Sequence, residues 1–207
     1  NDPALVWIVL APVMGAAAAL AGKVFPGVAR WAKVSAAASL TVPAVILASS
    51  AGAMLSGTTL TYALGGWPEP VGISLSLAGP GWVSAALTTL IGLAVAIYSL
   101  GGNRYGPDYF FFLLMAVTGM AGVAITGDLF TMFVFFEIVA VAVYVLIAWE
   151  GTGTGLAASF KYLMLSTTGI LFFLLGIFIV YRQTGVLSIE MVGEALRGTA
   201  SGGGQIH

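Results

Sequence analysis

Apolar residues come along this chain in long uninterrupted blocks, without strand-like alternation and without a single amphipathic stripe. Short stretches holding glycine, proline and most of the charges separate them. A helix that is apolar on every side belongs in a buried core or a bilayer. A hydrocarbon core of about 30 Å takes about 20 residues at ~1.5 Å rise. Six blocks meet that length, at residues 4–22, 32–52, 81–100, 109–126, 129–149 and 156–181. The fourth and fifth form one stretch too long for a single crossing, broken only by Gly127 and Asp128. A glycine to end one helix and an aspartate to accept the free N–H groups of the next predict a tight turn there. The expected fold is therefore all-α: a polytopic membrane protein of about six transmembrane helices. Residues 1–185 make the helical domain, and 186–207 a tail.

Between spans, residues 59–81 mix glycine and proline with alternating apolar positions, which predicts an ordered loop containing a short hairpin. In the tail, "SIEMVGEALRG" is amphipathic and predicts an interfacial helix, and "SGGGQ" a flexible end. "GTGTG", residues 151–155, lacks the lysine and preceding strand of a phosphate loop and reads as a linker. Pro12 and Pro43 fall inside spans one and two, where a membrane helix tolerates them as kinks. The first span lacks a basic flank and a convincing cleavage site, so it is expected to be a retained helix, not a signal peptide.

Composition supports the same class. Of 207 residues, 59% are hydrophobic and 7% charged, whereas a soluble domain carries about a quarter charged residues. Net charge is −1, with no basic patch for nucleic acid. The absence of cysteine excludes disulfides and cysteine-ligated metal within this chain, and the lone histidine, His207, cannot hold a metal by itself. No cofactor is expected. Nor does any nucleophile–base pair or nucleotide motif suggest an enzyme in its own right, so redox chemistry would belong to other subunits. Trp7, Trp31, Trp82, Tyr98, Tyr109, Trp149 and Tyr181 lie near the proposed span ends, at headgroup depth. Lys23, Arg30 and Lys33 fall between spans one and two and Arg104 between three and four, while the two alternate loops carry no Lys or Arg. The basic loops should be cytoplasmic and the N-terminus outside, in a cell inner (plasma) membrane. Arg182 and Arg197, on the outer side, weaken that bias.

One charge stands out. Glu137 sits nine residues past Asp128, so about 13 Å along its helix and close to mid-membrane. An acidic group there costs about 2.5–3.5 kcal/mol on insertion scales, so such groups face protein or water and mark ion paths. Lys161, just inside span six, is its expected cation, at an axial offset of about 10 Å that a lysine stem and a water could bridge. The bland alternatives are a carboxyl that only hydrogen-bonds a neighbouring helix and a lysine that snorkels to the interface. Asp128, Thr118, Ser166 and Thr167 are weaker candidates for a polar path. Asp128 fits a helix cap, and the hydroxyls, with Thr168, can bond their own helix backbone. The phenylalanines of "YFFF" and "FVFF" read as packing or lipid-facing groups.

"TGDLFTMFVFFEIVAVAVYVLIAWEG", "SFKYLMLSTTG", "YRQTGVLSIEMV" and the "GGWPEPVGISL" loop together resemble the antiporter-like subunits of Mrp-type cation/proton antiporters, respiratory complex I and membrane-bound hydrogenases, most of all the D subunit of the Mrp type. The resemblance implies proton or sodium translocation within a multisubunit membrane complex. In it Glu137 is the acid of the fifth helix and Lys161 the base of the sixth. Members of the family resemble fourteen-helix proteins built from two inverted repeats with discontinuous helices. This chain stops after the sixth span, which implies either the N-terminal part of a longer protein or a short subunit completed by another chain; Asn1 in place of methionine favours trimming. The alternative functions are a structural membrane subunit and a membrane partner in inorganic-carbon uptake.

Overall fold

The computed structural model describes residues 2–25, 29–66, 72–101 and 104–201. Residues 67–71 of the expected outer loop, the Arg30 side chain and the chain end with "GGGQ" and His207 lie outside them. The described chain runs α1 (Ala4–Val24), α2 (Ala29–Ser39), α3 (Thr41–Leu55), β1 (Leu60–Ala63), β2 (Ser74–Leu77), α4 (Gly79–Leu100), α5 (Pro107–Ile125), α6 (Leu129–Ile147), α7 (Gly153–Thr184) and α8 (Ile189–Ser201). Six helical segments are long and apolar enough to cross a bilayer, as the blocks predict.

The second crossing is two helices where one is expected. Pro43 has no N–H for the Ser39 carbonyl, and its ring crowds that same carbonyl. Accordingly α2 ends at Ser39, and α3 restarts at Thr41 after Leu40. Pro12 leaves α1 assigned as one helix. The last crossing is longer than its apolar block: α7 has 32 residues, or roughly 48 Å. Its first turn takes in Gly153 to Gly155, so only the front of "GTGTG" is linker. Thr152 caps that turn by accepting the Gly155 N–H at 3.1 Å, and Gly151 turns the chain with a φ of 65°.

α5 is the centre of the bundle, packed by α1, α2, α4 and α6; α7 lies outside, against α6. Small residues bring the backbones together, as is usual in membranes. Gly92 of α4 receives Val117, while Gly119 and Gly122 of α5 receive Val139 and Phe135 of α6. Phe110, Leu113, Leu114 and Val117 fill one core cluster with Ala16, Ala19 and Leu40. Leu5, Ile8, Ala121 and Ile125 fill a second, beneath the strands.

The expected hairpin is present: β1 and β2 pair antiparallel from Leu60↔Leu77 to Ala63↔Ser74. It extends into a backbone ladder over that end of the bundle. Leu75 bridges Thr126, the Gly127 N–H donates to the Ser74 carbonyl, and Asp128 bridges Ser188 at the entry to α8. At the opposite end Lys23, closing α1, pairs with Asp108, opening α5, at 3.0 Å, and Arg104 pairs with Glu150. The loops expected to share a side therefore do so.

Candidate functional site

The α5–α6 turn is built as its sequence suggests. Asp128 sits at the N-cap in an extended conformation, and its Oδ1 accepts the Thr131 N–H at 2.7 Å. That bond satisfies one of the four N–H groups a helix start leaves unpaired. From this capped end α6 runs inward, carrying Glu137 eight residues past Leu129, about 12 Å along the axis. The seating of Gly119 against Val139 and the Phe135 carbonyl sets Glu137 level with Thr118 and Gly119 of α5.

Glu137 is half-buried and makes no hydrogen bond or ion pair with any described residue. It lines an open apolar groove of about 250 Å³ between α5 and α6, together with Phe111, Phe112, Met115, Ile138, Val141 and Ala142. The carboxyl thus stands among aromatic and aliphatic groups at mid-helix, where a charged form lacks a compensating partner.

Lys161 is not brought to it. Ser159 donates to the Tyr144 carbonyl at 2.7 Å, which fixes the face of α7 turned to α6. Two residues further on, Lys161 is about 200° around the helix, and its side chain is exposed on the far face. Among the described residues Lys161 and Glu137 therefore make no direct ion pair, Lys161 being turned away from the α6–α7 seam. The other candidates separate by hydrogen bonding. Ser166 donates to its own helix at the Leu163 carbonyl and Thr168 at the Met164 carbonyl, while Thr167 is exposed. Thr118 differs: it is 1% exposed, and its hydroxyl has no partner. Thr89 of α4 is in the same state and is absent from the sequence-based candidates. A hydroxyl inside the apolar run "ALTTLIGLAV" was its one available signal. No group of three or more metal-ligating side chains occurs among the described residues.

Comparison with known proteins shows what the chain is similar to. A family model described as "NADH:quinone oxidoreductase/Mrp antiporter, TM" matches residues 126–206, the stretch from the α5–α6 turn onward. The D subunit of the Na(+)/H(+) antiporter of Bacillus subtilis (strain 168) is 34% identical over 154 residues, which is 69% of this chain and 31% of that protein. The N subunit of the NADH-quinone oxidoreductase of Desulforudis audaxviator (strain MP104C) is 34% identical over 158 residues, 74% of this chain and 31% of that protein. Among solved structures, a chain of the membrane-bound sulfane sulfur reductase, an archaeal respiratory membrane complex, superposes with a TM-score of 0.78 at 26% identity. That alignment covers 93% of this chain and 30% of the other. The chain thus spans about a third of the length of the relatives it matches.

Proposed function

We propose, for a chain that belongs to the antiporter-like membrane subunits shared by Mrp antiporters and NADH:quinone oxidoreductases, that Glu137 carries protons across the middle of the bilayer within a larger ion-translocating complex. The observation that carries this reading is the unpaired carboxyl of Glu137, half-buried in an apolar groove at mid-helix. An ionisable group at this depth marks an ion or proton path, and a carboxyl is able to take up and release a proton there. Lys161, on the far face of α7, acts on it only at a distance or after α7 turns.

Other membrane subunits are the expected partners, because the relatives this chain matches are themselves subunits of membrane complexes. The positive-inside bias supports an orientation with the Lys23 and Arg104 ends cytoplasmic, and the bacterial relatives support a plasma-membrane placement.

The test is cation-driven proton flux in vesicles holding the assembled complex, comparing Glu137→Gln and Glu137→Asp with the parent. Flux should fall at least about tenfold in the Gln variant, with assembly unchanged, and partly recover in the Asp variant. Undiminished flux in Glu137→Gln would favour a structural subunit whose neighbours do the conducting.

A further inference from the structure

The two unpartnered hydroxyls, Thr89 and Thr118, each stand opposite a buried proline. The α1–α5 pair runs antiparallel. Lys23 meets Asp108 at one end, Gly15 seats Leu114 further along, and Ile8 joins Ala121 and Ile125 beyond that. Thr118, one turn from Leu114 toward Ala121, therefore faces the Ala11–Pro12 step, one turn from Gly15 toward Ile8. The α3–α4 pair repeats the arrangement. Trp82 donates to the Leu47 carbonyl and the Ser50 hydroxyl. Thr89, two turns along α4 from Trp82, is level with the segment two turns back along α3, around Pro43. Thr89 and Ala44 also line one cavity of about 340 Å³ between the two helices. Thr89, Thr118, Pro12 and Pro43 are all among the most fully buried side chains.

Each proline removes one backbone donor. Pro12 has no N–H for the Ile8 carbonyl, and Pro43 none for the Ser39 carbonyl. Each pair thus places a spare acceptor on one helix level with a spare donor on its neighbour; both hydroxyls and Ile8 are fully buried and Ser39 is half-buried. Buried polar groups left unpaired are costly, and in membrane helices waters and hydroxyls commonly take up the carbonyls that proline frees. We propose that these pairs are two internal water sites: one water linking the Thr118 hydroxyl to the Ile8 carbonyl, and one linking the Thr89 hydroxyl to the Ser39 carbonyl. Both lie near mid-membrane, and the α1–α5 water shares the depth of Glu137. The assignment rests on hydrogen-bond satisfaction and does not depend on the role given to Glu137.

The test uses the full-length chain in its membrane complex and has two readouts. A density map fine enough to show waters should place one within hydrogen-bond distance of Thr118 Oγ1 and the Ile8 carbonyl. A dry contact there, or a direct hydroxyl–carbonyl bond, overturns the proposal. Thr118→Val and Pro12→Ala each remove one side of the bridge. Their Tm shifts should be non-additive by about 2 °C or more in the double variant, and Thr118→Ser should retain the coupling. Additive shifts, or a Tm raised by Thr118→Val alone, overturn it. Should Thr118→Val fail to assemble, the map of the parent complex still decides.

Discussion

α5 and α6 are neighbours of equal length and similarly apolar make-up, yet they live in different surroundings. Just over half of the membrane-crossing window of α5 is buried (56%), against 6% for α6 and likewise for α7. α5 is held on four sides, and its side chains are chosen to fit: glycines where helices close in, Leu114 and Phe110 where space remains. α6 is held along one seam by α5 and along another by α7, and the rest of its surface is open. The lone mid-membrane carboxyl belongs to the open helix. A packed core tolerates little rearrangement, so the proposed proton carrier stands where its neighbours have room to move.

Mutations that separate the two regions give effects of graded size. The largest is expected at the centre: Leu114 is fully buried, and Leu114→Ala should cost about 2–5 kcal/mol in reversible unfolding from bicelles or detergent. At the α5–α6 seam, Gly122→Val drives a methyl into the Phe135 ring and should cost about 1–3 kcal/mol by the same measurement. It should also weaken the seat of Glu137, lowering flux, whereas Leu114→Ala should act on stability first. At the head of the open helix, Asp128→Ala removes the bond to Thr131 and should cost about 1 kcal/mol, with Asp128→Asn close to neutral. The smallest effect belongs to the open surface: Leu165 is 75% exposed on α7, and Leu165→Ala should change the stability of the isolated chain by no more than about 0.5 kcal/mol. A large loss at Leu165 without partners present would break the contrast between packed and open helices.

The crossings, their number and the α5–α6 turn were legible because length, hydropathy and cap chemistry are local properties. Glycine and aspartate at Gly127 and Asp128 announced the turn, and the cap bond follows from it. The division of the second crossing was less legible, since Pro43 signals a disturbance but not its form; the break appears upstream, at the carbonyl that proline deprives. The pairing of Glu137 with Lys161 could not be read from axial distance. Facing depends on rotation about α7, and Ser159 fixes that rotation through a contact 15 residues distant in sequence. Thr89 was illegible for a related reason. A threonine in an apolar run usually bonds its own helix, as Thr168 does, and only the tertiary structure tells which one does not.

The two ends of the bundle are fastened by different means. Over one end runs a continuous set of main-chain bonds from the N-terminal Asp2, which donates to the Thr61 carbonyl, through the hairpin and the Gly127 turn to the start of α8. At the other end two exposed ion pairs, each worth at most about 1 kcal/mol and weakened by salt, join the ring contacts of Tyr109 with Tyr105 and Trp149. Such a molecule has a clasp and a mouth. Salt weakens only the second of these fastenings, so local opening is expected to begin at the ion-paired end.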